Sequence, residues 1–533
     1  MEEGHDVKAS LSIYMQTQDI ISYTYMIKNT KVPLDCLKEP GGFNIFHEIA
    51  TSLAREQNLL QFLEILISEF HDRYFDEASE KIKNMINALT KQDKQTPLLM
   101  AIRHNRKKIV KKFVELGAET LVKNIYGQNP LHIAAECGFE NILVYLCREL
   151  YMDFSSTDIN GRTPLHIAAL EGQINTGILL ISWSDNLNLQ DIEGFTPLHL
   201  AVLSQNYKLV RNLIIRDADT KIKDSKDETA FDIALNRGVP DIIKILKPMT
   251  CTQRLNPFYI PIGPVQNSYM KFIIYILLFI FRAGLTIVVI MPHLNKILSI
   301  SAAAILILTA FSFIIVNIKD PGYTKNTKNL NLSTLYETYR SEYICAYCET
   351  RKPKFARHCH YCERCVKDFD HHCPWIHNCV GQNNHSWFVF FITFSVIDYL
   401  MQGLLGIFDY FKMFQGRIMN FYELPEERIA VSISIAFINF ACLLIVVPIF
   451  YLQLRVICEN RESRSRASSK ASMPEDIVEN KSVVEMSDTA SMFIRQSEDW
   501  NPKSISNQVS FFTTKVKSTN NLSCCQANTR SIY

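Results

Sequence analysis

Residues 345–385 read CAYCETRKPKFARHCHYCERCVKDFDHHCPWIHNCVGQNNH. Seven of the fifteen cysteines fall between Cys345 and Cys379, with six histidines among them or just beyond. The segment's basic and polar linkers are too short to build an apolar core, so the thiols need another purpose. Zinc takes four thiolate or imidazole ligands, often from C-x2-C pairs. Three such steps overlap here: Cys345/Cys348, Cys359/Cys362 and Cys362/Cys365. Two sites of three Cys and one His would take six of the seven cysteines, leaving one thiol for chemistry.

Apolar runs flank this segment. Residues 272–291 and 297–318 precede it, and roughly 387–409 and 430–452 follow. Each is long enough to cross a hydrocarbon layer about 30 Å thick, which predicts four membrane spans. The loop 319–386 holds ten Lys and Arg, and RVICENRESRSR follows the last span, whereas the opposite loops hold only Lys296 and then Lys412, Arg417 and Arg428. The excess of basic residues places the N-terminus, cysteine-rich loop and C-terminus in the cytosol. The opening MEEGHDVKAS is polar and acidic, unlike a cleavable signal peptide. In a reducing cytosol the cysteines read as metal-binding or catalytic rather than as disulfides. Arg282 and Asp398 fall inside spans, where charge is costly; each either faces the bundle interior or reflects tilt and snorkelling.

Further towards the N-terminus the chain repeats. Pro97, Pro130, Pro164 and Pro197 lie 33, 34 and 33 residues apart within QTPLLMAI, QNPLHIAA, RTPLHIAA and FTPLHLAV, and Ala230 keeps the register. A 33-residue period carrying T-P-L-H-x-A is the ankyrin signature, two short helices and a turn per unit. Proline opens the first helix of each unit, where its missing donor costs nothing. Leu131, Leu165 and Leu198 stack between units that cannot cover their apolar faces alone. GGFNIFHEIA around Phe46 and TAFDIALNRG after Ala230 extend four good repeats by one at each end. His132, His166 and His199 recur with the period; turn hydrogen bonding explains them more simply than metal ligation. Such arrays bind protein partners.

A net charge of +2 and a pI near 7.8 give no reason to expect nucleic acid as a partner. After Cys458 the composition turns to Ser, Lys and Glu, which predicts disorder. Cys524 and Cys525 are either lipidated or incidental.

The run Asp370-His371-His372-Cys373-Pro374-Trp375, followed by Asn378-Cys379-Val380-Gly381 and Asn384, resembles the cysteine-rich domain of DHHC-type protein S-acyltransferases. Its place between the second and third spans agrees, as does Asp320-Pro321-Gly322 after the second span. With repeats in front, the chain is similar to the ankyrin-bearing subgroup that includes the huntingtin-interacting palmitoyltransferases. That subgroup usually has four spans ahead of the cysteine-rich domain, and only two fit here. Its Thr-Thr-x-Glu motif is not evident, with Ile457-Cys458-Glu459-Asn460 in the corresponding region. The resemblance implies one zinc on Cys345, Cys348, His358 and Cys365, and a second on Cys359, Cys362, His372 and Cys379. It implies Cys373 as nucleophile, His371 as its base and Asp370 as the group orienting the histidine. It further implies a long-chain acyl-CoA such as palmitoyl-CoA as co-substrate, Trp375 against the acyl chain, membrane lipid as surroundings and a Golgi or endoplasmic reticulum location. Arg351, Lys352, Lys354 and Arg357 suit either coenzyme A phosphates or topology alone. His360, His377 and His385 are left over and read as loop or interface residues.

The expected fold is α-helical: an N-terminal segment (1–39), an ankyrin solenoid (40–250), spans one and two (251–320), a small cytosolic zinc-bound cysteine-rich domain (321–386), spans three and four (387–455) and a tail (456–533). The expected function is protein S-acylation of partners recruited by the repeats. A catalytically idle zinc-bearing scaffold is the first alternative, disfavoured by the intact Asp370-His371-His372-Cys373. An ankyrin-bearing channel is the second, and the spans carry no pore-like loop.

Overall fold

The repeat period becomes five helix pairs, from Pro97–Arg103 with Lys107–Glu115 to Ala230–Arg237 with Pro240–Leu246, and ahead of them, off the period, stand Ile45–Thr51, Glu56–Tyr74 and Ala78–Ile86. The computed structural model describes residues 2–247, 269–324, 331–419 and 426–468; residues 469–533 of the tail, Cys524 and Cys525 included, lie outside them. Pro97, Pro130, Pro164 and Pro197 each open the first helix of a pair. The repeat histidines close the caps behind them. The Asn129 N–H donates to His132 Nδ1 at 3.3 Å, and His132 Nε2 lies 2.9 Å from the Arg162 carbonyl of the next unit. Thr163 N–H and the Leu189 carbonyl hold His166 in the same way, at 3.2 and 3.0 Å. With Nδ1 accepting, the proton sits on Nε2, and burial pushes both imidazoles below their ordinary pKa. These rings are neutral ties between units. At the turns, Ile159 N–H donates to the Tyr126 carbonyl and Ile192 N–H to the Asn160 carbonyl, linking neighbours. Gly127 sits at φ +70°, and a Cβ there would lie 2.8 Å from the Ile159 nitrogen.

Among the described residues four helices are long and apolar enough to cross a membrane: Met270–His293, Lys296–Ile318, His385–Lys412 and Ile429–Arg455. The last belongs to a helix that runs from Glu426 to Ser468. Arg282 and Asp398 face the bundle interior and pair with each other. Arg282 also donates to Asn439 Oδ1 at 2.9 Å, Gln402 donates to Asp398, and Thr286 donates to Gln402. One polar layer thus ties the first, third and fourth spans together, and each member has a partner, as buried polar groups require.

The repeats dock on the cysteine-rich region through one face. Lys107 and Lys111 meet Glu337 at 2.8 and 3.1 Å, and Arg148 pairs with Glu349. The Trp183 indole N–H donates to Glu349 at 3.1 Å. Farther along, Tyr347 donates to Asn212 at 3.0 Å and Arg216 meets Glu363 at 3.3 Å. On the repeat side these residues lie on, or directly after, the second helices of four successive pairs. Exposed ion pairs contribute little singly. The buried Leu332 and Leu335 of the helix Leu332–Thr338 supply apolar contact beside them.

Arg282→Leu leaves Asp398 buried without its cation, which should cost about 3–5 kcal/mol. Thermal melting of detergent-solubilised protein checks this, and an Arg282→Leu/Asp398→Leu double variant should regain most of the loss. For the docked face, a zero-length carbodiimide should join Lys107 or Lys111 to Glu337 in the full-length protein. Peptide mass spectrometry would detect the amide, and Glu337→Gln should remove it.

Candidate functional site

Three short β-hairpins of identical design form the cysteine-rich segment. They are β1 Ile344–Cys345 with β2 Thr350–Arg351, β3 Arg357–Cys359 with β4 Arg364–Val366, and β5 His371–Cys373 with β6 Asn378–Val380. Cys345 faces Thr350, Cys359 faces Arg364 and Cys373 faces Asn378. Each turn ends on a left-handed residue: Glu349 at φ 51°, Glu363 at 54° and His377 at 47°. The units follow at 14-residue spacing, which aligns Cys345, Cys359 and Cys373, then Tyr347, Tyr361 and Trp375, then Cys348, Cys362 and Ile376. The period is legible in the sequence, but counting C-x2-C pairs misses it, because the third unit has isoleucine where the others have their second cysteine.

The turn of one hairpin and the base of the next make a cluster. Cys345 and Cys348 from the first turn meet His358 and Cys365, which face each other on β3 and β4. Cys359 and Cys362 from the second turn meet His372 and Cys379, which face each other on β5 and β6. In each cluster the ligand atoms lie within 4.8 Å of one another. His358 Nδ1 is 3.6, 3.2 and 4.0 Å from the sulfurs of Cys345, Cys348 and Cys365. His372 Nδ1 is 3.8, 3.5 and 3.7 Å from those of Cys359, Cys362 and Cys379. A tetrahedral zinc with ordinary Zn–S and Zn–N bonds has N···S edges of about 3.5 Å and S···S edges of about 3.8 Å. Both clusters therefore fit such an ion in size and donor chemistry. Tyr347 stacks on His358 at 4.8 Å and Tyr361 on His372 at 4.6 Å, holding each imidazole from outside.

The third turn joins no cluster. Cys373 and Ile376 are buried instead in apolar contact with Val316 of the second span and Phe388, Phe391 and Ile392 of the third. Tyr275 of the first span and Val446, Ile449 and Phe450 of the fourth pack against the same group, as does Trp375. Beside it, His371 Nδ1 lies 3.2 Å from Asp370 Oδ2. Burial opposes charge on His371, but hydrogen bonds to Asp370 and Cys373 outweigh it and hold the imidazole up to about 9. Asp370 Oδ2 also accepts from Gln453 at 3.1 Å, and His385 Nε2 lies 3.2 Å from Gln453 Oε1. Nothing in the local sequence announces Gln453, which comes from the fourth span.

The remaining motif residues lock this arrangement to the membrane helices. The two N–H groups of Asn378 Nδ2 are shared among the carbonyls of Val316, Asn317 and Lys319 at 3.1–3.2 Å, covering acceptors that the end of the second span leaves open. Asp320 accepts from Gly322 and Tyr323 N–H groups, and the Lys367 N–H donates to the Gly322 carbonyl. At Gly381 a Cβ would lie 2.6 Å from the Pro321 carbonyl oxygen, so only glycine fits. Asn384 bridges the Gly381 N–H and the Cys379 carbonyl.

Arg351, Lys352, Lys354 and Arg357 lie on the first hairpin, the loop after it and the start of the second, whereas Cys373 is on the third. Arg351 stacks over Tyr339. Among the leftover histidines, His360 packs edge-on to Tyr347, and His377 lies against Tyr269.

Residues 338–470 match the DHHC palmitoyltransferase family, and residues 51–158 and 146–224 match ankyrin repeats. A probable protein S-acyltransferase 23 of Arabidopsis thaliana is 30% identical over 310 residues, 53% of this chain and 57% of that protein. The human NF-kappa-B inhibitor alpha is 31% identical over 101 residues, 18% of this chain and 32% of that protein. The chain thus spans little more than half of the first relative and a third of the second. It carries a DHHC palmitoyltransferase domain behind ankyrin repeats.

Metal analysis of the purified protein should find about two zinc ions per chain. Cys348→Ser and Cys362→Ser should each lose zinc and lower the melting temperature, since ligand and fold energy are coupled. Full zinc content in either variant would count against these clusters as metal sites.

Proposed function

We propose that this chain is an integral-membrane protein S-acyltransferase with Cys373 as its nucleophile. One observation carries the reading: a buried thiol beside a His371–Asp370 pair, at the head of an apolar cluster to which all four spans contribute. A thiol attacks as thiolate, and an adjacent imidazole that takes its proton raises reactivity. Asp370 on the other ring nitrogen sets the tautomer and stabilises the imidazolium.

Two balanced steps follow. His371 accepts the Cys373 proton, and the sulfur attacks the thioester carbonyl of a long-chain acyl-CoA. The bond to the coenzyme A sulfur breaks, and that thiolate leaves with the proton from His371. In the second step His371 takes the proton of a substrate cysteine, whose sulfur attacks the acyl-Cys373 thioester. Cys373 leaves as thiolate and is reprotonated. One thioester replaces another of similar energy, so no further energy source enters.

In this reading the acyl chain lies along the apolar cluster, with Trp375 against it. Arg351, Lys352, Lys354 and Arg357 are offered as partners for coenzyme A phosphates. Cys345, Cys348, His358 and Cys365 would hold one zinc, and Cys359, Cys362, His372 and Cys379 another. Zinc there would supply folding energy to hairpins that have only a small core of their own. The excess of basic residues in the loop between spans two and three supports a cytosolic side for the domain in this reading, with an endomembrane as its expected location. The repeats then offer protein substrates a binding surface on that side.

Purified protein should take label from palmitoyl-CoA as a hydroxylamine-sensitive adduct. Cys373→Ala should abolish it, and Cys373→Ser should give at most a hydroxylamine-resistant oxyester. Undiminished thioester label in Cys373→Ala would remove Cys373 from the role.

A further inference from the structure

We propose that Gln453, on the fourth membrane helix, is a positioning residue for the acyl-transfer site, holding the Asp370 carboxylate in a one-way hydrogen-bond chain that begins at His385. The inference rests on the reading of Cys373, His371 and Asp370 given above.

An amide side chain has a donating end and an accepting end. Gln453 Nε2 lies 3.1 Å from Asp370 Oδ2, and a carboxylate only accepts, so the donating end faces Asp370. Its Oε1 must then accept, and His385 Nε2–H at 3.2 Å is the donor. The order His385 to Gln453 to Asp370 follows from the chemistry of the groups alone. His371 Nδ1 reaches the same Oδ2 at 3.2 Å, and His385 itself stays 4.0 Å away. Two donors on one oxygen fix the carboxylate against rotation, which His371 alone does not. Gln453 is only 6% exposed, so its amide cannot trade these partners for water.

The position on the helix gives the chain a purpose beyond packing. Val446, Ile449 and Gln453 are spaced i, i+3 and i+7, which puts them on one face of the fourth span. Val446 and Ile449 touch the apolar cluster around Cys373, and Gln453 one turn later touches Asp370. The surface against which an acyl chain would lie and the group that aims the base are therefore carried by one helix, which runs through Pro448 between Val446 and Ile449. A shift of that helix moves both together.

The test uses full-length protein in lipid nanodiscs, comparing wild type with Gln453→Leu, Gln453→Glu, His385→Leu and the His385→Leu/Gln453→Leu pair. The readouts are the initial rate of adduct formation from labelled palmitoyl-CoA, its KM, zinc content and melting temperature. Gln453→Leu should slow acylation about tenfold or more, as small misalignments of reacting groups do. KM should stay within about twofold and zinc content unchanged, because substrate binding is not at issue. Gln453→Glu, nearly isosteric, keeps an acceptor for His385 but loses the donor to Asp370, so it should fall at least as far. The double variant should be no slower than Gln453→Leu alone, since linked residues are non-additive. A wild-type rate in Gln453→Leu or Gln453→Glu overturns the proposal. So does a rate loss matched by loss of zinc or of melting temperature, which marks a structural role. If Gln453→Leu does not fold, Gln453→Glu decides. Wild type without any adduct takes the acyl-transfer reading down as well; wild type labelled alongside fully active Gln453 variants takes down only the positioning role.

Discussion

The stagger between hairpins is the constraint on which the rest depends. Each four-residue cluster takes two cysteines from one turn and a facing His–Cys pair from the base of the next hairpin. Neither hairpin can then be placed without its neighbour. The strands are two or three residues long and bury only a few apolar side chains of their own, Ile344, Val366 and Val380 among them, so ligand closure would add what a larger core supplies elsewhere. The third hairpin inherits its position from this series. Its base belongs to the second cluster, while its turn is free to carry Cys373 into apolar contact with the spans.

The membrane helices complete the series where no fourth hairpin follows. In lipid an open carbonyl at a helix end is costly. Asn378 meets three of them at the end of the second span, using the residue that faces Cys373 across the third hairpin. Gln453 reaches the other side of the same hairpin from the fourth span. The site is thus fastened to two helices that lie far apart in sequence.

Much of this architecture is legible in the amino-acid sequence. A 33-residue period with a fixed proline specifies the ankyrin units, because every unit must solve the same stacking problem with the same residues. The four apolar runs are legible because a hydrocarbon layer sets their length. The ligand sets implied by the family resemblance are the ones whose atoms come together. What escapes a reading of the sequence is of two kinds. The 14-residue hairpin period is present, but its third turn replaces the shared Tyr, Cys and Glu with Trp375, Ile376 and His377, so it does not look like a repeat. The contacts of Gln453 with Asp370, of Arg282 with Asp398 and of Arg148 with Glu349 join residues 83, 116 and 201 positions apart. Nothing local distinguishes these side chains from others of their type; only the packing of helices and repeats brings them together. His385 reads as a leftover for the same reason.

Ile376 has a consequence for selectivity among metals and thiols. A turn with two cysteines chelates a soft cation, and the first two turns have that pair. The third has one thiol and a buried branched alkyl group in the partner's place. A single thiolate without a chelating neighbour holds such cations weakly. On the proposed reading, zinc held by the first two turns would therefore be a poor inhibitor of the third. In that reading one isoleucine would let a turn of the metal-capturing design stand beside such a metal and keep its thiol free for chemistry.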